Sequence, residues 1–112
     1  IERFEASGYA ERELALLPSG EPMVELPFTM AYEDKLVRGR IDAVYTDPSG
    51  GVEIVDFQTG SRAAYRELPE VDQLALYARA LKANGLVSEG SPVRLTYLFL
   101  DGEPPLSREL VV

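Results

Sequence analysis

Apolar and polar residues alternate along the first half of the chain, which is the pattern of half-buried β-strands. In the first stretch the apolar side chains share one face: Val24, Leu26, Phe28 and Met30. Pro27 lies within this stretch and favours an edge position, because proline cannot donate a hydrogen bond to a neighbouring strand. After a polar turn near residues 33–35, a second stretch alternates in the same way, with Val37, Gly39, Ile41, Ala43 and Tyr45 against Arg38, Arg40 and Asp42. A third stretch, Val52 to Gln58, follows a Pro- and Gly-rich turn at residues 47–51, so the second and third strands should form a hairpin.

The later part of the chain predicts one helix and two more strands. Leu74, Tyr77, Ala78 and Leu81 repeat with helical spacing within residues 69–84. Pro69 suits the first turn of this helix, and Gly85 suits the position just past its end. Strands are predicted over residues 93–100 and 106–112, and residues 1–17 should form a short helix end and an irregular connection. The fold class is therefore α/β (α+β), a single domain over residues 1–112 whose mixed sheet has the order βββαββ and is flanked by helices.

The length and composition of the chain exclude several classes of protein and of metal site. A chain of 112 residues that is 46% hydrophobic can form one core. It begins at Ile1, in what reads as the middle of a helix, so we expect a fragment of a longer protein with a truncated N-terminal helix. Cysteine and histidine are both absent, which excludes disulfides, thiolate or imidazole metal sites and a Ser-His-Asp triad. Any metal must be held by oxygen, as Mg²⁺ prefers.

The net charge of the chain and the length of its apolar stretches indicate where the protein is located and what it binds. No apolar stretch approaches the roughly 18 residues that span a bilayer, so we expect a cytoplasmic protein with no membrane partner. The net charge of −8 argues against a free-standing DNA-binding protein, because such proteins neutralise phosphates with clustered lysine and arginine.

Three carboxylates are candidates for a metal site. Asp42 and Asp56 each stand seven residues from Ser49, the centre of the turn, so a symmetric loop places them opposite one another with Cβ atoms roughly 4.5–5.5 Å apart. The nearest register of the first two strands then sets Glu25 opposite Asp42. Facing like charges destabilise a sheet unless a cation intervenes, and Mg²⁺ would fit, with the backbone carbonyl of Phe57 as a further ligand. The spacing is equally compatible with a solvated face.

In that alternative, the acids would be paired with Arg38 and Arg40 and would hold no metal. The register is the weak point of the metal interpretation, because a slip by one residue sends a side chain to the opposite face.

Four ordered motifs resemble those of RecB-like PD-(D/E)XK nucleases. Residues 37–42, Val-Arg-Gly-Arg-Ile-Asp, followed by residues 52–60, Val-Glu-Ile-Val-Asp-Phe-Gln-Thr-Gly, resemble that family's GxID…VDYKTG signature. Gln73 to Tyr77 resembles its QxxxY helix motif, and residues 24–28 resemble its preceding acidic strand. The resemblance implies a Mg²⁺-dependent deoxyribonuclease, with Mn²⁺ as an alternative metal, in which Glu25, Asp42, Asp56 and Phe57 hold the metal.

The resemblance also assigns roles to other residues. Asp42, Asp56 and Gln58 would be the catalytic set, with Gln58 in the place of the family's lysine. Gln73, Tyr77, Arg38 and Arg40 would support the site and the DNA. A core role for Tyr77 and a loop-binding role for Gln73 remain alternatives from the residues alone.

Gln58 puts activity in question, because an amide carries no positive charge and cannot act as a base. Losing one well-placed stabilising group often costs roughly 10²–10³ in rate. The site is then naturally degenerate, or altered by engineering, or it takes its cation from another residue: Lys35, Arg38, Arg40, Arg62 or Arg66. Many members also carry a metal-binding histidine on a preceding helix, which this chain lacks.

The predicted function is an exonuclease-type domain of an ATP-dependent DNA helicase-nuclease in DNA repair and recombination. Its partners would be DNA and the helicase motor domains, and no ATP site lies in these 112 residues. Two alternatives stay open. One is a catalytically inactive module that guides DNA or docks proteins within a helicase, and the other is a calcium-binding or structural domain unrelated to nucleic acid.

Overall fold

Five strands form one mixed sheet, and one helix packs on it. The computed structural model describes residues 9–48, 50–58, 73–100 and 104–112. Its elements are β1 (Val24–Tyr32), β2 (Lys35–Thr46), β3 (Val52–Gln58), α1 (Gln73–Ala83), β4 (Pro92–Phe99) and β5 (Leu106–Val111), preceded by a 3-10 turn at Tyr9–Glu11. The strands lie side by side in chain order; β3 and β4 are parallel and the other neighbours antiparallel. The predicted α+β class and the order βββαββ are confirmed.

Helix α1 connects the two parallel strands and buries the predicted stripe. Leu74, Tyr77, Ala78 and Leu81 are all buried. The helix ends where Gly85 adopts a left-handed φ of 72°, which glycine tolerates without a steric cost. The predicted first turn at residues 69–72, with Pro69, lies outside the described residues, as do Ser49 and the Asp101-Gly102 turn. No helix in the described part of the chain is long and apolar enough to cross a membrane.

The sheet has a buried core on each face. On the helix side, Ile54 of β3 and Leu95 of β4 pack against α1. On the opposite side, Val55 packs with Ala43, Tyr45 and Leu98. Strand β1 is at the edge of the sheet, as Pro27 predicted.

The predicted alternation is wrong at one point, where β1 and β2 both change face. Ile41 packs in the helix-side core, but Ala43 and Tyr45 pack on the opposite side. Likewise Leu26 contacts the helix-side core, whereas Val24 borders the groove near Tyr45. The break lies at Glu25, whose φ of 47° is left-handed and whose position in the ladder is opposite Asp42. Two consecutive residues of β2 therefore face the helix side, and Asp42 is the second of them.

The segment before β1 is bound to the face opposite the helix through a buried carboxylate. Glu53 is 1% exposed; it accepts hydrogen bonds from the Tyr9 hydroxyl at 2.5 Å and the Thr96 hydroxyl at 2.6 Å. Arg12 forms an ion pair with it at 2.8 Å and lies over the rings of Tyr9 and Tyr45. A buried charge is stable only when it is paired and hydrogen-bonded. Here Oε2 accepts both hydroxyl hydrogen bonds, whereas Oε1 has its ion-pair partner Arg12 but accepts no hydrogen bond in the described part of the chain.

Candidate active site

Asp42 and Asp56 meet on the helix side of the sheet. The hairpin ladder runs from Thr46↔Val52 to Ala43↔Val55, and continuing it by one step sets the two aspartates opposite each other. The paired residues end at Ala43↔Val55, and beyond them the backbone N–H of Phe57 donates to Asp42 Oδ2 at 3.0 Å. This side-chain bond turns the Asp42 carboxylate toward β3, where it also interacts with the Asp56 carboxyl.

The contact between the two acids changes the acidity of Asp56. Its pKa is raised from 3.8 to about 7, first by burial and then by the hydrogen bond with Asp42 and the charge of Asp42. A hydrogen bond from Gln58 opposes this rise without cancelling it. Near pH 7 Asp56 is therefore about half protonated, and a divalent cation can take the place of that proton.

Gln58, in the predicted lysine position, reaches the pair directly. Its amide Nε2 donates a hydrogen bond to Asp56 Oδ2. Its backbone carbonyl accepts a bond from Leu100 N–H at 2.9 Å, which ties the end of β3 to the end of β4. The side chain therefore occupies the place from which a cationic group would contact Asp56, but it brings no positive charge.

Glu25 lies near the pair in the sheet, but the described residues contain no group of three metal-ligating side chains. The predicted register, with Glu25 opposite Asp42, agrees with the ladder on either side of it. Its side chain is exposed, and its left-handed backbone is unusual for a residue other than glycine. Its role as a metal ligand remains a prediction, as does the role of the Phe57 carbonyl.

The electrostatic effect of the two aspartates extends to Tyr77 of α1. Tyr77 is 5% exposed, and its pKa is raised by burial first and then by the charges of Asp56 and Asp42. Its burial agrees with the alternative that Tyr77 is a core residue, and its predicted role in supporting the site and the DNA stays a prediction. Gln73 is the first residue of α1, and its predicted role stays a prediction.

The predicted cationic residues do not contact the pair in the part of the chain that the structure describes. Arg38 and Arg40 are exposed, and the ion pairs there join other residues. The alternative in which these two arginines neutralise the acids is therefore not what the described contacts show. Lys35 is at the far end of β2, beside the turn to β1, and Arg62 and Arg66 lie outside the described residues.

The sequence did not predict that residues on the sheet face opposite the helix help to build the site. Phe57 packs with Tyr9 and Leu14 on that face, while its N–H holds Asp42 on the helix side. Glu53 anchors the same Tyr9. The available signal was the single charged residue inside the apolar run Val52-Glu53-Ile54-Val55, which indicates a buried carboxylate with partners elsewhere in the chain.

The mixed βββαββ sheet, with Asp42 of β2 facing Asp56 of β3, is consistent with the PD-(D/E)XK fold. The family model of the PD-(D/E)XK nuclease superfamily matches residues 2–111. The chain therefore belongs to this superfamily, whose members are generally nucleases and typically use divalent metals. Comparison with curated proteins gives no significant match.

Proposed function

We propose that this chain is the Mg²⁺-dependent, exonuclease-type DNA nuclease domain of a RecB-like helicase-nuclease that acts in DNA repair and recombination in the cytoplasm. The observation that carries the proposal is the contact between Asp42 and Asp56. Two carboxylates held this close are costly in a sheet, and a divalent cation with water and phosphate oxygens as further ligands would remove that cost.

Each residue of the proposed site would have a separate role. Asp42 and Asp56 would hold the metal, with Glu25 and the Phe57 carbonyl as candidates for further ligands. When bound, the metal would activate water and stabilise negative charge on the scissile phosphate. The N–H of Phe57 fixes the orientation of Asp42, so this aspartate needs little rearrangement on binding. Gln58 can orient a water by hydrogen bonding, but it cannot remove a proton from it.

The acidic charge of the chain favours a parent protein that delivers DNA to the site. A net charge of −8 would repel DNA at long range. A helicase motor on the same polypeptide would replace that attraction by raising the local concentration of the strand. The exposed Arg38 and Arg40 would then contact phosphates of the delivered strand.

A cleavage assay tests the proposal. The chain, and the same chain within its parent protein, would be incubated with end-labelled single- and double-stranded DNA and Mg²⁺ or Mn²⁺. We expect metal-dependent cleavage that Asp56→Asn abolishes and Asp47→Asn leaves unchanged, because Asp47 pairs with Arg94 outside the site. Gln58→Lys should raise the rate by roughly 10²-fold, the usual worth of one well-placed stabilising group.

A second function is favoured by the hydrogen bond from Gln58 to Asp56, which fills the lysine position with a neutral group. The domain would then be a catalytically inactive module that guides DNA or docks partners within a helicase. This version predicts no cleavage by the chain or by its Gln58→Lys variant. Deleting the domain would alter processivity of the parent helicase, whereas Asp56→Asn would not. Cleavage by the unmodified chain would rule it out.

A further inference from the structure

The ring of Phe28 lies across β2 at Gly39 and contacts Tyr77 of the helix. Phe28 and Gly39 face each other in the β1–β2 ladder. A Cβ at Gly39 would lie 2.7 Å from Phe28 Cζ and 3.6 Å from a ring carbon of Tyr77. The backbone of Gly39 is not left-handed, so the glycine is needed for this close approach and not for its conformational freedom.

The two rings form an edge-to-face pair. Their centroids are 5.1 Å apart and their planes meet at 72°, the arrangement that aromatic quadrupoles favour. Phe28 also borders an open groove that Pro27, Thr29 and Arg38 help to line. The ring can therefore move outward if something pushes it, and its contact with Tyr77 depends on the space at Gly39.

The ring of Tyr77 lies over β2, with Cε1 3.6 Å from the Cβ position at Gly39, and after burial the charges of Asp56 and Asp42 also raise the pKa of Tyr77. Gly39 and Asp42 are three residues apart on the same strand. Strand β2 thus carries both Asp42 and the glycine whose missing side chain leaves room for the ring of Phe28.

We propose that Phe28 is a positioning residue whose ring, which fits over β2 only because Gly39 has no side chain, sets the position of the Tyr77 ring relative to the Asp42–Asp56 pair. The effect of this contact on cleavage rests on the proposed nuclease function, but the contact itself does not. Phe28 would act through Tyr77 and would not touch the scissile phosphate.

Three variants of the full chain separate this role from general packing. Phe28→Leu removes the ring, and Gly39→Ala displaces it. Leu26→Ala is the matched control, because Leu26 is on the same strand and packs against the same core. With tyrosine rings ¹³C-labelled, and Tyr77 assigned by its loss in Tyr77→Phe, nuclear Overhauser cross-peaks would measure how close Tyr77 lies to the Hβ protons of Asp42 and Asp56.

We expect these cross-peaks to weaken at least two-fold in Phe28→Leu and in Gly39→Ala, and to persist in Leu26→Ala. The double variant Phe28→Leu/Gly39→Ala should be no worse than Phe28→Leu, because without the ring the added Cβ has room. Cross-peaks that are absent from the unmodified chain, or unchanged in Phe28→Leu, would overturn the inference.

Cleavage kinetics test the consequence for catalysis. Phe28→Leu should lower kcat about ten-fold while KM for DNA stays within two-fold, and Leu26→Ala should lower neither by more than its effect on folding, measured by thermal denaturation. An unchanged kcat in a Phe28→Leu protein with weakened cross-peaks would refute the positioning role. If the unmodified chain cleaves nothing, the proposed function fails, and the cross-peaks still decide whether Phe28 holds Tyr77.

Discussion

Replacing Asp56 with asparagine should make the metal-free protein more stable at neutral and alkaline pH. The pKa of Asp56 is raised from 3.8 to about 7 in the folded protein, so between those values the folded state binds a proton that the unfolded chain releases. Stability falls with rising pH wherever the folded state binds more protons, and the ionised carboxylate is therefore a cost to the fold. Asparagine resembles the protonated acid: it is uncharged and can donate a hydrogen bond to Asp42.

The expected gain in the free energy of unfolding follows from the pKa shift of Asp56. Moving the pKa from 3.8 to about 7 corresponds to roughly 4 kcal/mol, at about 1.36 kcal/mol per unit. Solvent screening at this half-buried carboxyl lowers the expected gain to about 2 kcal/mol. The gain should be complete above the folded pKa of about 7, shrink as the pH falls, and vanish below the unfolded value of 3.8.

The measurement is thermal and urea denaturation at pH 3.5, 6 and 8, first without metal and then with Mg²⁺. In a domain of this size about 2 kcal/mol raises Tm by roughly 8 °C. Magnesium should stabilise the unmodified protein, because it binds only the folded state, and should leave Asp56→Asn unchanged. Asp47→Asn, the control, should show no gain at pH 8.

Two results would refute the reasoning. An Asp56→Asn protein that is no more stable than the unmodified chain at pH 8 would mean that neither burial nor the charge of Asp42 penalises the ionised Asp56 carboxylate. A gain of equal size at pH 3.5 and pH 8 would mean that it comes from packing or hydrogen bonding and not from charge.

Two further changes test other parts of the fold. Glu33 and Asp34 form the β1–β2 turn with φ values of 49° and 62°, so Glu33→Asn with Asp34→Gly should stabilise the protein by about 1 kcal/mol in urea denaturation; a loss would contradict this turn geometry. Glu53→Gln should destabilise it by about 3 kcal/mol, because Arg12 loses its buried partner. Asp47→Asn, which breaks a more exposed ion pair, should cost less than about 1 kcal/mol, and equal losses would contradict the burial argument.

The facing positions of Asp42 and Asp56 could be predicted from the sequence because the turn between β2 and β3 fixes the register of these two strands. The loop between Thr46 and Val52 is symmetric, so counting outward from its centre was enough to identify the facing residues. The helix was predictable for a similar reason, since the spacing of Leu74, Tyr77 and their neighbours alone defines its buried stripe.

The face on which the pair lies could not be predicted, because alternation assumes a regular strand. The left-handed backbone of Glu25 and the bond from Phe57 N–H to Asp42 break that regularity. Neither glutamate nor phenylalanine is a residue type whose presence predicts such a conformation. Arg38 and Arg40 were expected on the same face as Asp42, and the break removes Asp42 from the simple alternation that linked them.

Because Gln58 is neutral, the proposed metal would be the source of positive charge at this site. The Gln58 amide lowers the pKa of Asp56, but burial and the charge of Asp42 outweigh it, and the pKa remains about 7. A lysine in the same place would add a full charge and favour the ionised acid over the whole neutral range. Without it, protons would compete with the proposed metal ion for the same carboxylates, so metal affinity should fall as the pH drops below about 7. Activity of this chain would thus be limited by metal concentration and pH together.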